Sequence, residues 1–117
     1  MNAAGRAYAP YSKIRVGAAV LLSDGTVIEG SNQECAAYGL CQCAERVALH
    51  YAHSTYPDLT ILKIAVASPD IPGITPCGAC RQVMAELSAF NDFDVITETS
   101  VTKAGQLLPS VFSLISK

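Results

Sequence analysis

The residues with chemistry in them are Cys43, Glu45 two positions later, and the pair Cys77 and Cys80 in Pro76-Cys77-Gly78-Ala79-Cys80. All three cysteines fall at expected helix starts, and an i, i+3 pair in a first turn puts both sulfurs on one face. If a strand connects the two helices, their N-termini aim at the same end of the sheet, where α/β ligands bind. Three thiolates then come within reach of one ion, and three protein ligands with an open fourth position mark catalytic rather than structural zinc. A CxxC alone also fits a redox dithiol or half of a four-cysteine zinc site. Glu45 sharpens the reading, because a carboxylate leaning toward the fourth position can take a proton from activated water and return it to a substrate nitrogen. Zn²⁺ with three thiolates carries a net charge of about −1, which makes water less acidic than on three histidines. Arg46 and Arg81, with two helix N-termini, are the groups placed to offset it.

The elements that must position these residues read as a compact α/β unit. Val16 to Leu22 is apolar, Ser23-Asp24-Gly25-Thr26 is a turn signal and Val27 to Asn32 follows, a β-hairpin. Gln42 to His53 carries Ala44, Val47, Ala48 and Tyr51 at helical spacing. Leu59 to Ala67 reads as a strand covered on both faces, and Pro76 opens a second helix from Cys77 to about Ser88, with Val83, Met84 and Leu87 inward. Asp94 to Thr99 is a further strand, and Ala104 to Leu108 a last helical turn. The order β-β-α-β-α-β-(α) predicts a mixed sheet with parallel members and helices on its faces.

Composition bounds the rest. The 117 residues suit a single domain, expected over 1–117. Hydrophobic residues are 50% and charged ones 15%, against about 25% charged in an average soluble domain, so part of the apolar excess is expected between subunits. These numbers exclude disorder. A net charge of −2 disfavours a footprint for nucleic acid. The charge-free run from Ala104 to Ser116 is shorter than the about 20 residues of a membrane span, and no signal peptide is evident at the N-terminus, so a cytoplasmic location is expected. Five cysteines there are thiols or ligands rather than disulfides.

Cys43-Ala44-Glu45 and Pro76-Cys77-x-x-Cys80 match the nucleobase-deaminase signature, in which the Glu is not a ligand. With Tyr8-Ala9-Pro10-Tyr11-Ser12, Val16-Gly17-Ala18-Ala19, Asn32-Gln33-Glu34, Tyr38-Gly39-Leu40, Arg46, Arg81-Gln82 and Leu107-Leu108-Pro109, the chain resembles the homotetrameric-type zinc-dependent cytidine deaminases from about Tyr8 to Phe112. The resemblance implies a three-layer fold with a mixed five-stranded sheet flanked by helices, and one zinc per chain on Cys43, Cys77 and Cys80. It implies hydrolysis of cytidine and deoxycytidine to uridine and deoxyuridine with Glu45 as proton shuttle. It also implies that Asn32 and Glu34 hold the ribose 3′-hydroxyl, that Arg46 bonds the thiolates, and that Ala36, Tyr38 and Phe112 reach a neighbouring subunit's site in a homotetramer. On the residues alone, Asn32 and Glu34 read equally as a turn pair capping the strand. The Ala44 and Cys77 backbone N–H groups are candidate donors to developing charge, and the Thr75 carbonyl a candidate acceptor from the departing amine.

Two positions depart from that family's pattern. Ile14 stands where a Phe usually lies against the pyrimidine, and Cys35 where an Asn follows the Asn-x-Glu triplet. They motivate an alternative substrate, a modified cytosine nucleoside such as a blasticidin-type antibiotic or an N4-substituted cytidine. A polynucleotide-editing deaminase and a zinc-stabilised structural domain are further alternatives, the last requiring Cys41 as fourth ligand. Cys41 is expected as a packed thiol, and His50 and His53 lie too far along the helix to reach the metal.

Overall fold

The computed structural model describes residues 3–37, 41–88 and 91–107. Strands β1 (Gly17–Leu22), β2 (Val27–Ser31), β3 (Ile61–Ala67), β4 (Asp94–Ile96) and β5 (Val101–Lys103) form one sheet in the order β2-β1-β3-β4-β5. Helices α1 (Ala44–Thr55) and α2 (Gly78–Leu87) connect β2 to β3 and β3 to β4. In this sheet β3 and β4 run parallel, and β1–β2, β1–β3 and β4–β5 are antiparallel. The mixed sheet with flanking helices is as expected.

The hairpin closes where the sequence signals it. Gly25 takes φ 92°, a left-handed conformation that costs glycine nothing, and the Asp24 carboxylate accepts the Thr26 N–H at 2.9 Å. Register then places Ala18, Val20, Leu22, Ile28, Ile64, Val66 and Val95 in the core with Ala44, Ala48, Leu49 and Ala52 of α1 and Cys80 and Met84 of α2. Gly30 is the close approach. A Cβ there would lie 2.7 Å from the Ala44 carbonyl oxygen and 2.7 Å from the Ala48 nitrogen, so the first turn of α1 rests directly on β2.

Three expectations change. β3 is not covered on both faces, because α1 and α2 share the face of Ile64 and Val66; Lys63 on the other face is exposed, and so is Leu62, beside an irregularity in the β1–β3 register. The short 3-10 turn Ala3–Arg6 packs at the β1–β2 end, with Arg6 bonded to Glu29 at 2.7 Å. The strand expected over Asp94 to Thr99 stops at Ile96; Thr97 and Ser100 bond across a tight turn and the chain returns as β5, which the sequence reading missed. Helix α1 begins at Ala44 rather than Gln42, since Gln42 exchanges both backbone hydrogen bonds with Gln33. Among the described residues, no helix is long and apolar enough to cross a membrane.

Candidate active site

The parallel placement of β3 and β4 brings the starts of α1 and α2 together. Cys43 is the N-cap of α1 and Cys77 that of α2, and neither helix has a side-chain capping bond. The first-turn N–H groups and the positive ends of both helix dipoles therefore face a site holding sulfur. Cys43 Sγ lies 3.4 Å from Cys77 Sγ, which lies 3.3 Å from Cys80 Sγ, and the three sulfurs fall within 4.8 Å of one another. Zinc–sulfur bonds in a tetrahedral site separate thiolates by roughly 3.8 Å, so the cluster suits that ion. Sulfur chemistry agrees. The Cys80 thiol and the Arg46 guanidinium hold the Cys43 thiol down to about 5, while bonding to Cys43 and burial push Cys80 far up. A divalent cation bound here would displace protons from the thiols, as metal binding by cysteine requires.

Arg46 Nη2 lies 3.6 Å from Cys43 Sγ and 3.4 Å from the Cys41 carbonyl, while its buried Nε has no partner among the described residues. A guanidinium held in this way against the sulfurs fits a thiolate-rich centre. Cys41 stands apart. Its sulfur takes the Cys35 N–H at 3.2 Å and is not in the cluster.

Glu45, in the first turn of α1, is 4% exposed, and burial raises its carboxyl above the ordinary range, with the nearby Cys43 charge adding to the effect. A buried carboxyl beside a cluster of thiols, with its affinity for a proton raised, can both accept and return one. It lines a cavity of about 190 Å³ together with Asn32, Glu34, Cys43, Ala44, Ile74, Thr75 and Cys77. A larger cavity of about 240 Å³, lined by His53, Asp58 and Asn91, contains neither the thiols nor Glu45.

Asn32 and Glu34 reach this cavity from the end of β2, but each is also tied to the segment before β1. Asn32 Oδ1 accepts the Val16 N–H at 2.8 Å, and Nδ2 donates to the Ile14 carbonyl at 2.8 Å. Glu34 Oε1 accepts the N–H groups of Tyr11 at 3.0 Å and Ser12 at 3.1 Å, and Oε2 accepts the Ser12 hydroxyl. These bonds hold the Glu34 carboxyl below its ordinary range, the Ser12 hydroxyl most of all.

A family model for the cytidine and deoxycytidylate deaminase zinc-binding region matches residues 1–94. The chain belongs to this family. It is 44% identical over 115 residues to a cytidine deaminase of Sporosarcina psychrophila, covering 92% of this chain and 82% of that one. Over 81 residues it is 54% identical to a cytidine deaminase of Halalkalibacterium halodurans, covering 69% of this chain and 61% of the relative, so that match spans about three-fifths of the relative's length. A crystal structure of cytidine deaminase from Burkholderia pseudomallei superposes with a TM-score of 0.83 at 46% identity, covering 94% of this chain and 91% of that chain. Membership places the chain among zinc-dependent hydrolytic deaminases, and the donor set of Cys43, Cys77 and Cys80 fits the family's metal.

Within this deaminase fold the remaining predicted residues fall in different places. Ile14 packs against the core but does not line the cavity. Arg81 is turned away from the metal cluster: its bonds among the described residues go to the Pro76 carbonyl at 2.9 Å and the Leu107 carbonyl at 3.5 Å, so it braces the turn that carries Cys77. Ala36 is exposed outside the cavity, and Tyr38 and Phe112 lie outside the described residues. The sequence reading missed Gly30, whose signal is a lone glycine inside an apolar strand, and the clamp built by Ser12, for which no spacing rule exists.

Proposed function

We propose that residues 1–117 act as one catalytic domain that hydrolyses cytidine and deoxycytidine to uridine and deoxyuridine, releasing ammonia. The observation that carries this reading is the buried Glu45 in one cavity with two of the three clustered thiols. Cys43, Cys77 and Cys80 would hold the zinc, which when bound supplies the Lewis acidity that makes water nucleophilic near neutral pH. Glu45 takes a proton from the attacking water and delivers it to N3 of the pyrimidine as C4 becomes tetrahedral. It then carries the second proton to the exocyclic amine, which leaves as ammonia, so water is consumed and the carboxylate is regenerated. The Ala44 and Cys77 N–H groups, at two helix starts, would stabilise developing charge, and the Thr75 carbonyl would accept from the departing amine. Arg46 drains charge from the thiolates.

Asn32 and Glu34 would hold the sugar hydroxyl, while Ile14, which lies outside the lining of this cavity, is not assigned to the base. The relatives' names favour cytidine over a modified cytosine nucleoside. The active form we propose is a cytoplasmic homotetramer, or a dimer, in which Ala36, Tyr38 and Phe112 complete a neighbour's site. The apolar composition and the exposed side chains of Tyr8, Tyr11, Leu62 and Val101 support an assembled state.

The test is loss of cytidine absorbance by zinc-loaded protein beside Glu45→Gln. The parent should turn over both nucleosides, and the variant should keep its zinc while losing roughly 10²–10⁴-fold in kcat. Activity retained in Glu45→Gln would overturn the shuttle, and a silent, zinc-loaded parent would overturn cytidine as substrate.

A further inference from the structure

The segment between Tyr11 and Val16 is held in an unusual conformation by the two side chains assigned above to the sugar. Lys13 has φ 63°, a left-handed conformation rare for a side-chain-bearing residue, and its N–H bonds to the Ala9 carbonyl at 3.0 Å. Immediately before it, the Ser12 hydroxyl donates to Glu34 Oε2 and accepts the Ile14 N–H at 3.1 Å. Ile14 is gripped on its other side as well, by Asn32 Nδ2 on its carbonyl.

Counting donors and acceptors shows what this leaves. A carboxylate offers about four lone-pair sites, and three are taken: two on Oε1 by backbone N–H groups and one on Oε2 by Ser12. The Asn32 amide uses one N–H and one lone pair on backbone. Among the described residues, one acceptor site on Glu34 Oε2 and, on Asn32, one N–H and one Oδ1 lone pair remain for the cavity both line, and the Glu34 site with the Asn32 N–H forms one acceptor–donor pair. That is the complement of a single hydroxyl, which donates once and accepts once. Ser12 decides which lone pair of Oε2 is left free, and through the Ile14 N–H it fixes the segment that carries the aliphatic side chain.

We propose that Ser12 is a positioning residue: its hydroxyl, held in place by the Ile14 N–H, orients the Glu34 carboxylate for recognition of the sugar hydroxyl. This rests on the nucleoside deaminase reading of the same cavity.

The test compares Ser12→Ala and Ser12→Thr with the zinc-loaded parent, on cytidine and on 2′,3′-dideoxycytidine. Loss of the hydroxyl should lower kcat/KM for cytidine about tenfold, mainly through KM, and leave the dideoxynucleoside within about twofold. Threonine, which keeps the hydroxyl, should restore the cytidine value. Equal losses on both substrates would mean a merely structural role and overturn the proposal, as would no loss on either. Thermal-shift binding of uridine against 2′,3′-dideoxyuridine gives a readout independent of turnover, and the parent's preference for uridine should shrink in Ser12→Ala. A parent that turns over neither substrate would overturn the deaminase reading itself, whereas an active parent with no discrimination lost in Ser12→Ala would overturn only the role of Ser12.

Discussion

Gly30→Ala tests whether the close contact of β2 with α1 positions the catalytic groups. The added Cβ would meet the Ala44 oxygen at 2.7 Å, the Ala48 nitrogen at 2.7 Å and the Ala48 Cβ at 3.0 Å. Two of these are backbone atoms, so no side chain can rotate away. Strand and helix must separate by roughly 0.7 Å to reach ordinary contact, and overpacking of this kind costs about 1–3 kcal/mol. With an unfolding entropy near 2.1 cal/mol/K per residue, a chain of this length should lose about 4–12 °C in Tm. The separation falls on the turn that carries Cys43 and Glu45, and a displacement approaching 1 Å at a reacting centre can cost about 10²-fold. Differential scanning fluorimetry at fixed protein and zinc, paired with kcat on cytidine, should show both losses together. A Tm within about 2 °C of the parent, with unchanged kcat, would refute the argument that the glycine sets the helix position.

Arg46→Gln removes the cation 3.6 Å from Cys43 Sγ; kcat should fall about 10–100-fold while one zinc per chain is retained, as read by turnover beside metal analysis. Equal activity would show that the helix N-termini alone offset the thiolate charge. The Glu34 clamp predicts an acid limb in stability. Its carboxyl is held below the ordinary 4.5 by Ser12 and neighbouring N–H groups, so its contribution is present above that value and is lost as pH falls through the depressed one. The stability difference between parent and Glu34→Gln, measured by urea unfolding, should therefore be constant from neutral pH down to about pH 5 and shrink below it. A difference independent of pH would mean that the clamp does not depend on ionisation.

The chemistry was legible in the sequence because it sits at helix starts, where residue type and spacing translate directly into geometry. Cys43, Glu45, Cys77 and Cys80 could be placed from the order of elements alone, since a βαβ connection aims both helix N-termini at one end of the sheet. What escaped notice depends on pairing rather than periodicity. β5 has three residues and the turn before it contains neither glycine nor proline, so nothing marked the chain's return. Lys63 and Leu62 sit in an apolar run that reads as doubly buried; Lys63 is exposed because both helices lie on the opposite face, and Leu62 because the register irregularity there leaves it out of the β1 pairing. Arg81 follows a ligand in sequence yet braces Pro76 and Leu107, because adjacency on a helix turns side chains about 100° apart.

Where Cys41 goes decides how many thiols a metal at this site would find. Two residues before Cys43, it is the closest spare thiol in sequence, and a structural zinc site would recruit it. The paired backbones of Gln33 and Gln42 instead keep that stretch extended, and Cys41 Sγ is occupied by the Cys35 N–H at 3.2 Å. The helix begins only at Ala44, so Cys43 turns into the cluster while Cys41 does not. The same boundary places Glu45 in the first helical turn, buried and lining one cavity with Cys43 and Cys77. Three thiolates leave the metal with about one excess negative charge, and two helix N-termini of about half a charge each, with Arg46, oppose it. Had α1 begun at Gln42, Cys41 and Cys43 would have splayed apart and Glu45 would have moved deeper into the helix, away from the end where the three sulfurs meet.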